Sequence, residues 1–168
     1  MLIYPNILSD STLNLIHLEL SKYKGQMVWN LSDELWQKPV ATLYSGIATA
    51  AFASDEVWRA VVEDIKHILP ECKALSMQYN IWHRAAAAPL HDDEGYSFAA
   101  TIYLNLDWHR NWGGLLLWLE DPNSNLVKGI FPTYNTLVLN KAPLKQHLVT
   151  PISAGATETR MTLQLWAQ

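Results

Sequence analysis

Beyond Pro70 the chain breaks into short runs dense in aromatic and β-branched residues, and this pattern more than any other restricts its fold. The runs cover 75–82, 97–105, 115–119, 136–139, 147–152 and 160–166. Each has the length of a strand rather than of an ordinary helix. Turn chemistry separates them, as in Trp112-Gly113-Gly114, Asp121-Pro122-Asn123-Ser124-Asn125 and Ser153-Ala154-Gly155. Successive short strands hide their edges best by folding into two facing sheets, so the expected core is a cupin-like jelly roll, the double-stranded β-helix.

The segment before it reads differently. Ser9 or Asp10 can cap a helix through about Lys24, with Leu13, Ile16, Leu20 and Tyr23 on one stripe and Gly25 as the stop. A second helix is expected from Ser54 to Pro70, turning Val57, Val61, Ile65 and Ile68 inward. Between them, 38–53 reads as mixed strand and loop, punctuated by Pro39 and Gly46. The prediction is an α+β chain forming one domain over 1–168, with 1–70 mostly helical support and 75–168 the catalytic jelly roll.

Bulk properties exclude several classes. A net charge of −4 gives no basic face for nucleic acid. Cys72 is the one cysteine, which forbids an intramolecular disulfide. The opening MLIYPNILSD lacks a basic region followed by an apolar one, and no apolar run reaches membrane-spanning length. These features predict a cytoplasmic protein that engages neither membrane nor nucleic acid. Eight tryptophans and seven tyrosines suggest an aromatic-lined cavity, with Trp108, Trp112, Trp118, Tyr96 and Tyr134 as candidates for its wall.

The chemistry gathers on few residues. In His91-Asp92-Asp93, positions i and i+2 of a strand share a face, so His91 and Asp93 can meet one ligand while Asp92 looks away. His-x-Asp alone is common, and a lone histidine such as His147 suits a core strand equally well. Together, His91, Asp93 and His147 match the facial triad of two imidazoles and one carboxylate that binds non-haem Fe(II). His83 is the internal competitor as a ligand; His67 and His109 have no acidic residue two positions on, and His17, with Glu19 two positions on, lies on the expected first helix, where i and i+2 do not share a face. The set contains no thiolate, which argues against structural zinc. Arg160, with Thr162 on the same face of a strand, offers an anchor for a carboxylate. Ala85–Ala88 can admit a substrate or serve as filler, and His109-Arg110-Asn111-Trp112 reads as a solvated turn or as a carboxylate contact.

From Leu75 to its C-terminus the chain resembles the 2-oxoglutarate- and Fe(II)-dependent dioxygenases of the prolyl 4-hydroxylase type. The matching pieces stand in order: His91-x-Asp93, Thr101-Ile102-Tyr103-Leu104-Asn105 with Asp107-Trp108, and Gly113-Gly114-Leu115-x-Leu117. After them come Pro132, Leu137-Val138-Leu139, His147-x-Val149-x-Pro151, Arg160-x-Thr162 and Trp166. The resemblance implies Fe(II) on His91, Asp93 and His147, and 2-oxoglutarate chelating it, with the far carboxylate on Arg160, Thr162 and Tyr103. It implies Tyr79 near the cosubstrate or in the core, Trp166 against cosubstrate or substrate or in the core, and ascorbate as a candidate reductant. The implied reaction hydroxylates a C–H bond of an amino acid or peptidyl residue, prolyl first, with release of succinate and CO2. Asp93 argues against a halogenase, whose halide needs that position. The alternative is a cupin-like metal-dependent dioxygenase or isomerase without 2-oxoglutarate, which has no need of Arg160-x-Thr162.

Two departures bear on these assignments. The stretch from His147 to Arg160 is longer than the family pattern by about the length of Ala154-Gly155-Ala156-Thr157, which suggests a wide hairpin between the last two strands. The loop after Asp93 is short for a lid.

Overall fold

The computed structural model describes residues 1–22, 48–121, 123, 125–142 and 144–168. The expected Tyr23, Lys24 and Gly25 at the end of the first helix, and Pro39 and Gly46, lie outside the described residues, as do Pro122 and Ser124 of the expected turn.

Two antiparallel sheets face each other. The larger holds β1 (Leu2–Pro5), β2 (Ala48–Phe52), β3 (Leu75–Trp82), β5 (Phe98–Tyr103), β8 (Thr136–Asn140) and β10 (Arg160–Ala167) in the order β1-β8-β5-β10-β3-β2. The smaller holds β4 (Ala88–His91), β6 (Leu116–Leu119), β7 (Val127–Ile130) and β9 (His147–Val149) in the order β4-β9-β6-β7. This is the expected double-stranded β-helix, with α1 (Asp10–Lys22) and α2 (Asp55–Ile65) packed on the outer face of the larger sheet. Among the described residues no helix is long and apolar enough to cross a membrane.

Period-two alternation gives the larger sheet two different faces. Outward, Met77, Tyr79, Phe98, Ala100, Ile102, Leu137, Leu139, Leu163 and Leu165 form a core with Ile16, Val57, Val61 and Ile65 of the helices. Inward, Trp82, Tyr103 and Val138 meet Leu116, Trp118, Val149 and Ile152 across the gap between sheets. Arg160, Thr162 and Gln164 alternate with Leu163 and Leu165 on β10, so the inward face turns polar where the cavity opens.

The helices are tied to each other end to end. Ser54 caps α2 by accepting from the Val57 N–H at 3.3 Å, and its own N–H donates to buried Glu19 of α1 at 3.0 Å. In return, Asp64 of α2 accepts from the backbone N–H and hydroxyl of Ser9 at the start of α1. The second helix stops at Ile65 rather than running to Pro70. Beyond Ile65 the chain leaves through a turn in which the Ile68 N–H donates to the Ile65 carbonyl.

The N-terminal part also supplies strands, since β1 pairs with β8 and β2 with β3. Strands β4 and β7 add to the runs read from sequence. The last two strands form no hairpin: β9 belongs to the smaller sheet and β10 to the larger, so the intervening residues are a crossover between sheets. Ile152 bridges to Gly113, and Ala156 is buried in the inter-sheet core, where its carbonyl accepts from Arg84 Nε at 2.6 Å. The extra length is packed structure, and it delivers Arg160 to the start of β10. Within the alanine run Ala86 and Ala88 are buried in that core, Ala88 also lining the cavity, while Ala85 is exposed.

Asn135 joins helix to sheet. It is buried, has φ +51°, donates through Nδ2 to the Leu8 carbonyl and accepts the Leu8 N–H at Oδ1, both at 2.9 Å. Asparagine tolerates this left-handed backbone better than alanine does. Asn135→Ala should therefore lower stability by about 2–4 kcal/mol, through two lost buried hydrogen bonds and the backbone strain. A urea unfolding series reads the change, and a loss below roughly 1 kcal/mol would contradict this account of the residue.

Candidate active site

A cavity of about 750 Å³ opens between the sheets, in the usual size range for a small-ligand site. Two kinds of chemistry meet in its wall: a cluster of metal-type donors from the smaller sheet and a buried cation from the larger one.

The donors are His91, Asp93 and His147, whose candidate ligand atoms all lie within 4.8 Å of one another. They converge because β4 and β9 pair with His91 directly opposite His147. Their rings lie 4.3 Å apart between centroids, and His147 Nε2 stands 3.7 Å from Asp93 Oδ2. Each imidazole is held from behind. His91 Nδ1 is 2.6 Å from the Pro89 carbonyl, and His147 Nδ1 is 3.0 Å from the Lys145 carbonyl. With the proton on Nδ1, as a carbonyl partner requires, Nε2 of both rings presents a lone pair to the cavity. Burial, and then the neighbouring His147, lower the pKa of His91 and favour the neutral ring that a metal needs. Asn140, at the inward end of β8, donates from Nδ2 to Asp93 Oδ2 at 3.1 Å and fixes the carboxylate.

The expected competitor is elsewhere. His83 lines a separate depression with Arg84 and Glu158, and the donor cluster does not include it.

Arg160 is the buried cation, only 2% exposed. Its Nε donates to the Gly114 carbonyl at 2.9 Å, which leaves the rest of the guanidinium facing the cavity. No carboxylate pairs with it among the described residues. Gly114 has φ +67°, and a Cβ there would meet Arg160 Cδ at 3.0 Å and Trp108 at 3.3 Å, so glycine is required for this approach. Gly113 is as constrained, because its Cβ would fall 2.2 Å from the Pro151 carbonyl oxygen. Asn105 pins the start of β10 by donating to the Thr159 carbonyl at 2.8 Å and accepting from the Met161 N–H at 2.7 Å. Burial lowers the arginine's pKa, with Tyr103 acting in the opposite direction.

Tyr103 faces the guanidinium with its ring centroid 5.2 Å from the guanidinium carbon. Its hydroxyl is buried without a well-directed hydrogen bond, and burial raises its pKa while Arg160 lowers it. Thr162 shares the face of Arg160 and lines the cavity, as expected. Tyr79 does not join them. It pairs with Leu163 across β3 and β10, on the outward face, and packs in the helical core. Strand alternation places Tyr79 and Asn80 on opposite faces, so the cosubstrate role expected of Tyr79 is corrected to core packing.

The remaining aromatics divide cleanly. Tyr96 and Trp166 line the cavity, with ring centroids 6.2 Å apart. Trp108 and Trp118 belong to the inter-sheet core, and Trp112 packs edge-on against Trp108. Tyr134 bonds to His17 on the helical side. Arg110 lies over the Phe131 ring beside a short 3₁₀ turn, outside the cavity wall. Three contributors were given no role from the sequence: Asn140, Asn105 and Trp82. A polar residue closing an apolar strand is a visible signal for Asn140; the other two depend on strand register.

Residues 77–168 match the family model of the 2OG-Fe(II) oxygenase superfamily. No curated protein sequence matches the chain. Among solved structures it is similar to a prolyl-4-hydroxylase from Pseudomonas putida, at 15% identity and a TM-score of 0.71 over 99% of this chain and 91% of that one. A prolyl hydroxylase from Trichoplax adhaerens, solved with a peptide fragment of the hypoxia inducible factor oxygen degradation domain, gives 18% and 0.77 over 99% and 82%. An α-ketoglutarate-dependent epimerase from nogalamycin biosynthesis gives 10% and 0.67 over 99% and 78%. At these identities the structural likeness concerns the fold, which does not set the reaction.

Replacing Asn140 by alanine frees the Asp93 carboxylate from its partner. Outer partners of metal ligands typically contribute about 10–100-fold to affinity, and Asn140→Ala should weaken Mn(II) or Co(II) binding by that factor in calorimetry. Unchanged affinity would contradict the role given to Asn140.

Proposed function

This chain belongs to the 2OG-Fe(II) oxygenase superfamily, and on that premise we propose that it hydroxylates a C–H bond of an amino acid or peptidyl residue, prolyl being the first candidate. Fe(II) and 2-oxoglutarate are the cofactor and cosubstrate of the family, and the residues present suit both. His91, Asp93 and His147 offer two neutral imidazoles and a carboxylate, a donor set fitted to Fe(II). Arg160 offers a cation for a carboxylate in the cavity wall, with the buried Tyr103 hydroxyl beside it and, on the same strand face, the Thr162 hydroxyl, whose bond to the Asn80 carbonyl is long at 3.5 Å.

The observation that carries this reading is Arg160. A guanidinium removed from water is costly unless an anion meets it, and no described residue supplies one. A dicarboxylate cosubstrate does so, held by a planar fork suited to bidentate pairing. The alternative, a cupin-like metal enzyme without 2-oxoglutarate, leaves both Arg160 and the Tyr103 hydroxyl without a purpose.

When bound, Fe(II) and 2-oxoglutarate supply the oxidation: O2 is consumed, 2-oxoglutarate becomes succinate and CO2, and a C–H bond becomes C–OH. The protein's part is placement. Asn140 holds Asp93 in a fixed orientation, and the two backbone carbonyls hold the imidazoles. Leu116, Val138 and Val149 give part of the wall an apolar surface that limits water. At the far side, Tyr96 and Trp166 offer aromatic surface on which an apolar ring such as a prolyl ring can pack. That surface, with the prolyl 4-hydroxylase resemblance, is the support for proline. Ascorbate is the reductant to include in assays.

Succinate release from protein supplied with Fe(II), O2 and 2-oxoglutarate tests the proposal. The candidates are free proline, proline-containing peptides, other amino acids and unrelated metabolites, each examined by mass for one added oxygen atom. Arg160→Ala should raise the 2-oxoglutarate requirement several hundred-fold or more, corresponding to about 3–5 kcal/mol, while the iron requirement stays near its original value. His147→Ala should abolish stoichiometric metal binding. Unaltered 2-oxoglutarate dependence in Arg160→Ala sinks the cosubstrate assignment. A coupled product from a metabolite other than proline, with every proline compound unmodified, overturns the prolyl part alone.

A further inference from the structure

We propose that the indole N–H of Trp82 is a hydrogen-bond donor to the same carboxylate that Arg160 holds, making Trp82 a cosubstrate-binding residue. The inference rests on the 2-oxoglutarate reading above and adds to it a residue to which the sequence assigned no role.

Trp82 is 7% exposed, lines the cavity, and its Nε1 has no hydrogen-bond partner among the described residues. Buried tryptophans normally spend this donor, and the neighbours do. Trp108 donates to the Gly113 carbonyl at 2.9 Å, and Trp118 donates to Glu120. The contrast marks the Trp82 donor as free for something the described residues do not provide.

Its position says what that is. Trp82 stands directly opposite Arg160 in the β3–β10 register, and the guanidinium carbon lies 5.7 Å from its ring centroid. Tyr103 flanks the same guanidinium from β5 at 5.2 Å, with a buried hydroxyl that also lacks a well-directed hydrogen bond. A cation with unused N–H groups and an indole thus share the cavity wall, with the phenol of Tyr103 fully buried beside the guanidinium. Ala48, Ala86 and Ala88 of the surrounding core contribute no side-chain acceptor. One carboxylate in the cavity can accept from the guanidinium and the indole together, its charge meeting the first and a lone pair the second. The aromatic ring also limits where the guanidinium can move, which pre-orients the fork.

The indole signals in a ¹H–¹⁵N spectrum of the Zn(II)-loaded protein provide a readout independent of turnover. Trp82 is assigned as the signal missing from Trp82→Phe. Added 2-oxoglutarate should move the Trp82 signal downfield and slow its exchange with solvent, while Trp108, already bonded, stays in place. Pyruvate keeps the keto acid but lacks the far carboxylate, and it should leave Trp82 unmoved. Trp82→Phe, which keeps a ring and deletes the donor, should bind 2-oxoglutarate about tenfold to a hundredfold more weakly.

If the native protein binds 2-oxoglutarate and the Trp82 signal does not respond, or pyruvate shifts it equally, the inference is wrong while the proposed function stands. If the native protein binds no 2-oxoglutarate, the proposed function falls and takes the inference with it. Because the titration uses the unmodified chain, a poorly folding Trp82→Phe does not remove the test.

Discussion

A buried guanidinium that no carboxylate among the described residues meets organises this molecule. Taking a cation out of water costs several kcal/mol even after relaxation, and Arg160 is 2% exposed. The surrounding structure holds it in that state. Gly114 admits the side chain and accepts its Nε, Asn105 secures the strand that carries it, and the rings of Trp82 and Tyr103 stand on its flanks. None of these contacts neutralises the charge. The arrangement makes sense as one that keeps its free energy available for an anionic cosubstrate, which gains from a cation that cannot retreat into solvent.

The second half of the site comes from the other sheet, and the sandwich exists to bring the halves together. His91 and His147 face each other because β4 and β9 pair, while Arg160 and Thr162 sit on β10 of the larger sheet. Asn140 joins the two systems, reaching from β8 of the larger sheet to Asp93 beside β4. The two histidines therefore rest on paired strands, and Asp93, just beyond the end of β4, is held by Asn140, which suits a constellation that must hold its geometry. Neither α1 nor α2 contributes to the cavity wall. They cover the outward face of the larger sheet and let its inward face carry polar residues such as Gln78, Thr101 and Gln164 at the cavity wall.

Much of this was legible in the sequence wherever the physics is local. Runs of branched and aromatic residues read as strands, Ser54 reads as a helix cap, and residues two apart read as sharing a face, which suffices for Arg160 with Thr162. What failed depends on partners far along the chain. Alternation says that Tyr79 and Asn80 face opposite ways, but only sheet packing decides which one meets the cavity. Trp82 needed the register with Arg160, and the crossover from β9 to β10 needed knowledge of which sheet each strand joins. Strand β4 was hidden because alanine and proline are weak strand formers, so it is made a strand by pairing with β9. The donor triad was readable because residue chemistry is specific even when its placement is not.

A crystal structure grown with Mn(II) and 2-oxoglutarate tests the central claim most directly. The account predicts one ion held by Nε2 of His91, Nε2 of His147 and the Asp93 carboxylate, with the cosubstrate's far carboxylate on the Arg160 guanidinium. An ion held at other residues, or a far carboxylate lying away from Arg160, would contradict it.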